Sequence, residues 1–212
     1  MAGLSISSLT VGELAVNCWF LTNERSKETL VFDPGDEAGR IQAFADEKGW
    51  KISCILLTHG HADHMAAAEE LKRLTGAPVY ALREEEPTLQ NAKTNLSVFI
   101  NHRVITVMAD ELLSDGQIIT LSGICLQVFH TPGHTPGGCC FYCEEAGCVF
   151  AGDTLFQGSV GRSDFPGGSM SQLVRSVREK LFLLPDDTKV YPGHGEETSI
   201  GYEKKYNPFV QE

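Results

Sequence analysis

The sequence predicts an α/β fold in which helices cover two β-sheets, and three observations support this prediction. Its 212 residues suit one compact unit, so residues 1–212 are expected to form a single domain. Short β-prone runs occur in two batches, and segments with helical periodicity follow each batch. A sheet with an apolar face needs cover on that face, and two sheets flanked by helices would bury all such faces.

The first batch of strands lies in the opening third of the chain. Three β-prone runs are present, at residues 4–11, 14–22 and 29–32, and an Asp-Pro-Gly turn signal follows the last of them. Helical periodicity then begins at Asp36, a predicted N-cap, and stops at Gly49, which suits the position just after a helix. A buried strand is predicted at 52–57, and a second helix is predicted from Asp63 to Gly76.

The second batch of strands is followed by a capped helix. Strands are predicted at residues 79–82, 124–130, 138–143 and 148–151. After a glycine-rich loop, Ser169-x-x-Gln172 matches a capping box and opens a helix that Pro185 stops. A last short strand is predicted at 188–191, whereas the weak pattern of 83–123 supports no assignment.

Composition and charge exclude several classes of protein. A net charge of −11 argues against nucleic acid and anionic membranes as partners, so a small-molecule substrate is expected. No run approaches the ~18 apolar residues that span a bilayer. The N-terminus has no basic region before Arg25, which predicts no signal peptide and a cytoplasmic location. Seven cysteines, an odd number, predict reduced thiols. No pattern indicates the oligomeric state.

Potential metal ligands follow four of the predicted strands. The segment THGHADH at 58–64 follows the strand at 52–57, and His134, Asp153 and His194 each follow a later strand. Rigid strands hold side chains at fixed positions, and neighbouring Gly and Pro allow tight turns that aim these groups at one point. Nitrogen and carboxylate ligands suit zinc, iron or manganese.

Seven ligands exceed the needs of one tetrahedral ion and suit two ions that share a carboxylate. The candidates are His59, His61, Asp63, His64, His134, Asp153 and His194. The sequence therefore predicts two divalent ions per chain, with zinc expected and iron or manganese as alternatives. His102 is expected on the surface, and His130 is expected to be a hydrogen-bonded structural residue or a partner of a ligand. Cys140 and Cys143, three apart on a predicted strand, are interpreted as core residues and not as a zinc knuckle.

The pattern H-x-H-x-D-H, followed by His134, Asp153 and His194, resembles the metallo-β-lactamase superfamily over nearly the whole chain. This resemblance implies a four-layer αββα sandwich of two mixed sheets flanked by helices. Further segments are similar to those of short, single-domain glyoxalase II-like (hydroxyacylglutathione hydrolase-like) enzymes: NCWFL at 17–21, FDPGD at 32–36, HTPGHTPG at 130–137, GDTLFQGSVGRSDFPGG at 152–168 and GHGEETSIGYEKKYNPF at 193–209.

The resemblance also implies a role for each ligand. His59, His61 and His134 would bind a first metal, and Asp63, His64 and His194 would bind a second, with Asp153 bridging. Asp33 either matches a position that orients the ligand loop or is a plain turn aspartate. Full-length glyoxalase II proteins continue into a helical domain that helps to hold glutathione. This chain ends about eighteen residues after His194, so that C-terminal domain is expected to be missing.

The implied activity is that of a binuclear metal-dependent hydrolase, a thioesterase acting on acylglutathione-like substrates. A hydroxide held by the two ions would attack the carbonyl carbon, and Asp63 is the predicted catalytic residue that orients it. A thiolate, with a pKa near ~8.5, can leave without a general acid. Arg162 and Asp164 are expected to shape a loop as an ion pair or to border the site, and Phe165 to line the pocket or pack.

Two alternatives remain open. A persulfide dioxygenase shares much of the motif set but uses one iron, held by His59, His134 and Asp153. A non-catalytic metal-binding member of the fold is the other alternative. Metal stoichiometry separates the hydrolase, with two ions, from the dioxygenase, with one. A secreted β-lactamase is disfavoured because the sequence predicts no signal peptide.

Overall fold

Two six-stranded mixed sheets lie at the centre of the fold in the computed structural model, which describes residues 3–100 and 102–211. The first sheet contains, in spatial order, β1 (Leu4–Val11), β2 (Val16–Asn23), β3 (Glu28–Phe32), β4 (Lys51–Leu56), β5 (Val79–Leu82) and β6 (Glu111–Leu113). The first three strands pair antiparallel, and β3 to β6 run parallel.

The second sheet contains, in spatial order, β14 (Thr198–Ser199), β13 (Lys189–Pro192), β10 (Cys148–Gly152), β9 (Cys139–Cys143), β8 (Ile124–His130) and β7 (Ile118–Leu121). Its one parallel pair among the described residues is β10 with β13. A small hairpin of β11 (Leu155–Phe156) and β12 (Ser159–Val160) follows β10.

Helices cover the outer face of each sheet. They are α1 (Ala38–Glu47), α2 (Ala62–Met65), α3 (Ala68–Thr75), α4 (Glu86–Leu89), α5 (Ser97–Ile100), α6 (Met170–Glu179) and α7 (Ile200–Tyr206), with 3-10 turns at Arg83–Glu85 and Leu181–Leu183. None of the helices in the described part of the chain has the length and hydropathy of a membrane span.

Three apolar clusters separate four layers, which confirms the predicted αββα sandwich. One cluster packs α1 and α3 against the first sheet, and a second fills the space between the sheets. The third packs α6 against the second sheet. Alternation along strands explains this division: Val31 faces the helices, whereas Phe32 faces the other sheet and stacks on Phe150 with ring centroids 3.9 Å apart.

The cysteines follow the same alternation. Cys140 packs in the outer cluster and Cys143 in the cluster between the sheets, so the two thiols lie on opposite faces of β9. Both are buried, and all seven cysteines are free. The prediction that Cys140 and Cys143 are core residues is therefore confirmed.

Two predicted helix boundaries are wrong. Asp36 does not cap α1, because its carboxylate accepts a hydrogen bond from the adjacent Glu37 N–H and the helix starts after Glu37. The helix predicted from Asp63 to Gly76 is two helices, α2 and α3. The break arises because Ala67 N–H donates to the Pro34 carbonyl (3.0 Å) and not to the preceding helical turn.

The segment 83–123, to which the sequence assigns no element, contains α4, α5, β6 and β7. Buried Asn95 organises the middle part of this segment. Its side-chain amide donates to the Ile105 carbonyl (2.8 Å), and its backbone carbonyl accepts from Ala62 N–H (2.8 Å). Hydrogen bonds of this kind produce no apolar periodicity, which explains why the sequence pattern is weak here.

Candidate metal centre

All seven predicted ligands lie together at one edge of the sandwich, where parallel strands end. His59 and His61 follow β4, Asp63 and His64 lie on α2, His134 lies in the β8–β9 loop, Asp153 follows β10 and His194 follows β13. The donor atoms form two triads, each with its atoms within 4.8 Å of one another: His59, His61 and His134, and Asp63, His64 and His194.

Asp153 lies between the two triads. Its Oδ2 is 3.5 Å from His134 Nε2, which belongs to the first triad. Its Oδ1 is 3.3 Å from His64 Nε2 and its Oδ2 is 3.9 Å from His194 Nε2, both in the second triad. One carboxylate therefore faces both groups of donors.

Hydrogen bonds on the far side of the ring set the tautomers of two histidines. His134 Nδ1–H donates to the Arg162 carbonyl (2.7 Å), so the Nε2 lone pair faces the cluster. His64 Nδ1–H donates to the Asp33 carboxylate (3.0 Å), which leaves Nε2 free in the same way. Both arrangements suit metal ligation through Nε2.

Asp33 also fixes the ligand loop itself. Its carboxylate accepts from Thr58 N–H (2.8 Å) and from the Thr58 hydroxyl (2.7 Å). The Thr58 oxygen is then free to accept from His59 Nδ1–H (3.1 Å), which directs His59 Nε2 into the cluster. Although Asp33 lies near His59 and His64, both its oxygens already accept hydrogen bonds, so it orients these candidate ligands and is not placed as a ligand itself.

Two buried atoms of the cluster lack a hydrogen-bond partner among the described residues: His59 Nε2 and Asp153 Oδ1. In addition, His61 Nδ1 and His134 Nε2 lie only 2.8 Å apart. Buried polar atoms are almost always paired, and lone pairs that converge in this way indicate a shared cation. The donor set therefore fits divalent metal ions.

Burial and neighbouring charges set the protonation of the cluster. Burial lowers the pKa of His59 well below its usual value and the pKa of His61 to about 3, so both rings stay neutral and able to ligate. Burial also acts to lower the pKa of His64, but the carboxylates of Asp153 and Asp63 raise it. Despite its own burial, Asp153 has a lowered pKa because of His64, and remains a carboxylate.

A cleft with two arms opens over the cluster. Its larger arm, about 690 Å³, exposes His61, Asp63 and Asp153, and is lined mainly by apolar groups together with Lys93 and Arg162. A smaller arm of about 480 Å³ shares Leu14, Asp63 and Ile100 with the first, and is bordered by Arg103. Volumes of this order hold small molecules.

The loop residues 162–165 both pair with one another and border this cleft. Arg162 makes a bidentate ion pair with Asp164 (2.8 and 2.7 Å), and its guanidinium lies 4.0 Å from the centre of the Phe165 ring. Phe165 in turn contacts the His61 ring edge-on at 5.6 Å. Arg162 and Asp164 therefore form the predicted ion pair while Arg162 also borders the cleft, and Phe165 both lines the cleft and packs against its neighbours.

The two remaining histidines lie outside the cluster. His102 is exposed, as predicted. His130 Nε2–H donates to the Pro136 carbonyl (2.9 Å), in the same loop as His134, which fits the predicted structural role.

One buried acid near the cluster has no signal in the sequence. Glu85 is only 1% exposed and accepts from Gly60 N–H (2.8 Å) and Gly137 N–H (2.7 Å). Burial raises its pKa to about 7, although these two N–H groups act in the opposite direction. It stands in the run REEE at 83–86, where nothing in the sequence distinguishes it from the neighbouring glutamates.

Comparison with known proteins places this fold and site in a family. The model of the metallo-beta-lactamase superfamily matches residues 11–194. The probable metallo-hydrolase YqgX of Bacillus subtilis is 37% identical over 203 residues, covering 95% of each chain. The hydroxyacylglutathione hydrolase GloC of Haemophilus influenzae is 35% identical over 209 residues, covering 98% of each. The chain belongs to the metallo-beta-lactamase superfamily.

Solved structures agree with this assignment. The BLEG-1 B3 metallo-beta-lactamase superposes with a TM-score of 0.93 at 35% identity, covering 98% of this chain and all of its own. TTHA1623 in a di-iron-bound form gives 0.85 at 36% identity, with 96% and 99% covered. ETHE1 from Myxococcus xanthus gives 0.81 at 28% identity, with 96% and 83% covered.

Proposed function

We propose that the chain is a binuclear metal-dependent hydrolase that cleaves thioesters of the acylglutathione type. The position of Asp153 carries this proposal, because its carboxylate faces a triad of donors on each side. A single ion needs only one of these triads, and the second triad of Asp63, His64 and His194 has the composition of another divalent site. The likeness to GloC, which bears the name hydroxyacylglutathione hydrolase, supports the thioester class.

Each triad would hold one ion, with Asp153 shared between them. Zinc fits the nitrogen-rich donor set, and the di-iron form of TTHA1623 makes iron the main alternative. Two such ions supply Lewis acidity that lowers the pKa of water and polarises a carbonyl group. The protein's own contribution is to fix the donors, which the far-side hydrogen bonds of His59, His64 and His134 do.

Asp63 is the residue of the cluster best placed to orient the attacking water. Its side chain is 15% exposed and lines both arms of the cleft. Burial acts to raise its pKa, but the neighbouring His64 lowers it, so the group is a carboxylate that accepts hydrogen bonds. Water adds to the carbonyl carbon, the carbon–sulfur bond breaks, and the products are a carboxylic acid and a thiol.

The cleft supports an anionic thioester as the substrate. Phe99, Phe165 and Leu96 give the larger arm an apolar wall for an acyl or thiol chain. Lys93 adds a cation with no carboxylate partner among the described residues, in a chain whose net charge is −11. Since a thiolate leaves readily near neutral pH, the cleavage needs no acid beyond the groups present.

Parallel assays on metal-loaded protein test the proposal. Thiol release from lactoylglutathione is expected, with activity lost on chelation and restored by added zinc. Oxygen consumption with glutathione persulfide, supported by one iron per chain, would contradict the proposal in favour of a dioxygenase. Faster hydrolysis of a chromogenic cephalosporin than of the thioester would contradict it in favour of a β-lactamase, as for BLEG-1.

A further inference from the structure

Glu85 connects two loops that come from different sheets. It lies in the 3-10 turn after β5, and each of its carboxylate oxygens accepts one backbone N–H. Gly60 stands between His59 and His61 after β4 of the first sheet, and Gly137 follows His134 in the β8–β9 loop of the second sheet. The two loops carry the whole triad of His59, His61 and His134.

Glu85 packs so closely against these loops that there is little room for a side chain at Gly60 or Gly137. A Cβ added at Gly137 would lie 2.1 Å from Glu85 N, and one added at Gly60 would lie 3.2 Å from Glu85 Oε1. The Gly137 backbone therefore touches the turn that carries Glu85, and the Gly60 backbone touches the Glu85 carboxylate, so Glu85 packs closely between the two loops. A metal site tolerates small deviations in donor spacing only, so this spacing matters to ligation.

We propose that Glu85 is a positioning residue for the first metal site, the triad of His59, His61 and His134. It holds the two histidine loops at the distance that one ion requires. This role rests on the proposed binuclear function. Glu85 does not itself contact the donors of the triad, and it acts through Gly60 and Gly137. Groups that hydrogen-bond directly to metal ligands change metal affinity by about 10–100-fold when they are removed, and we expect an effect of the same order for Glu85.

The variant Glu85→Gln isolates this role. Glutamine keeps the shape but has one acceptor oxygen, so its amide N–H₂ faces one of the two glycine N–H groups and that loop loses its anchor. The fold keeps another link between the same loops, because Cys139 N–H donates to the Thr58 carbonyl (2.8 Å). Glu85→Gln can therefore change the spacing of the two loops without unfolding the protein.

A matched control exists in Glu203. It is also fully buried and accepts from Gly158 N–H (2.9 Å), the Asn207 side-chain amide (2.8 Å) and the Thr198 hydroxyl (2.6 Å), none of which belongs to a histidine loop. Glu203→Gln likewise replaces one acceptor oxygen of a buried carboxylate by an amide N–H₂ group. It therefore measures the general cost of leaving a buried donor without an acceptor.

The test measures Co²⁺ binding to metal-free protein, by competition with a chelator and by the visible spectrum of the bound ion. Wild type is expected to bind two ions. Glu85→Gln is expected to weaken one of them about 10–100-fold and to change its spectrum, while Glu203→Gln changes neither. Equal binding by Glu85→Gln and wild type, or equal losses in both variants, would overturn the role of Glu85.

Two further results separate the possible failures. If wild type binds no Co²⁺ the proposed function itself fails, and the role of Glu85 fails with it. If Glu85→Gln does not fold, Glu85→Asp replaces it, because the shorter side chain keeps the charge but reaches only one loop. Weakened binding of one ion by Glu85→Asp supports the role, and wild-type affinity overturns it.

Discussion

Three histidines of the cluster owe their ligand geometry to hydrogen bonds made on the outer side of the ring. The acceptors are the Asp33 carboxylate, the Thr58 hydroxyl and the Arg162 carbonyl, and each leaves an Nε2 lone pair facing inward. Metal binding then needs little rearrangement of side chains. At this scale the site depends as much on the partners of the ligands as on the ligands.

Glycine at 193 is the residue whose replacement should damage the site most directly. A Cβ there would lie 2.4 Å from both Asp153 Oδ1 and His64 Cε1, so Gly193→Ala must displace at least one of these two candidate ligands. We expect the purified variant to lose at least one of the two proposed metal ions, measured by elemental analysis, and most of the proposed thioesterase activity.

The control is Gly39→Ala. Gly39 lies on α1 with open space around it, and alanine favours a helix by up to about 1 kcal/mol. This variant should keep full metal content and melt at the same or a higher temperature. Retention of both ions by Gly193→Ala would contradict the close packing of Gly193 against Asp153 and His64.

The elements show which local signals are sufficient on their own. Ser169 Oγ accepts from Gln172 N–H (3.4 Å), as the predicted cap of α6 requires. However, Ser169 N–H donates to the Gly133 carbonyl (2.7 Å), next to His134, and not to the Gln172 side chain. Only half of a capping box is present, and the other half ties the helix to a ligand loop.

These bonds predict different costs for two substitutions. Ser169→Ala removes the cap and should lower the free energy of unfolding by about 1 kcal/mol. Gln172→Ala should change it by no more than about 0.5 kcal/mol, because that side chain is exposed and makes no capping bond. Urea unfolding of both variants measures this difference, and an equal loss in both would indicate a complete capping box.

Most of the strands could be predicted because their signals are local. A short β-prone run before a turn signal predicts β3, and Gly76 ends α3 in the left-handed conformation that favours glycine. The break between α2 and α3 could not be predicted, since it depends on a hydrogen bond from Ala67 to Pro34. Glu85 is the same kind of case, because its partners lie 25 and 52 positions away.

At the scale of the molecule, the sandwich brings strand ends from both sheets to one edge. The β3 and β4 strands run parallel in one sheet, and β10 and β13 run parallel in the other, so their carboxyl ends lie together. Bonds between the sheets hold this edge, including Trp19 Nε1–H to the Pro192 carbonyl (2.8 Å) and Cys139 N–H to the Thr58 carbonyl (2.8 Å). The sequence predicted the convergence because ligands follow strands, but the spacing between ligands depends on these tertiary contacts.

Anomalous X-ray diffraction from crystals of zinc-loaded protein tests the binuclear centre most directly. We expect two peaks per chain, one about 2.0–2.2 Å from the nearest nitrogens of His59, His61 and His134 and the other at similar distances from the donors of Asp63, His64 and His194. The Asp153 carboxylate should touch both ions. A single fully occupied peak, or two ions bound away from these residues, would contradict a binuclear centre.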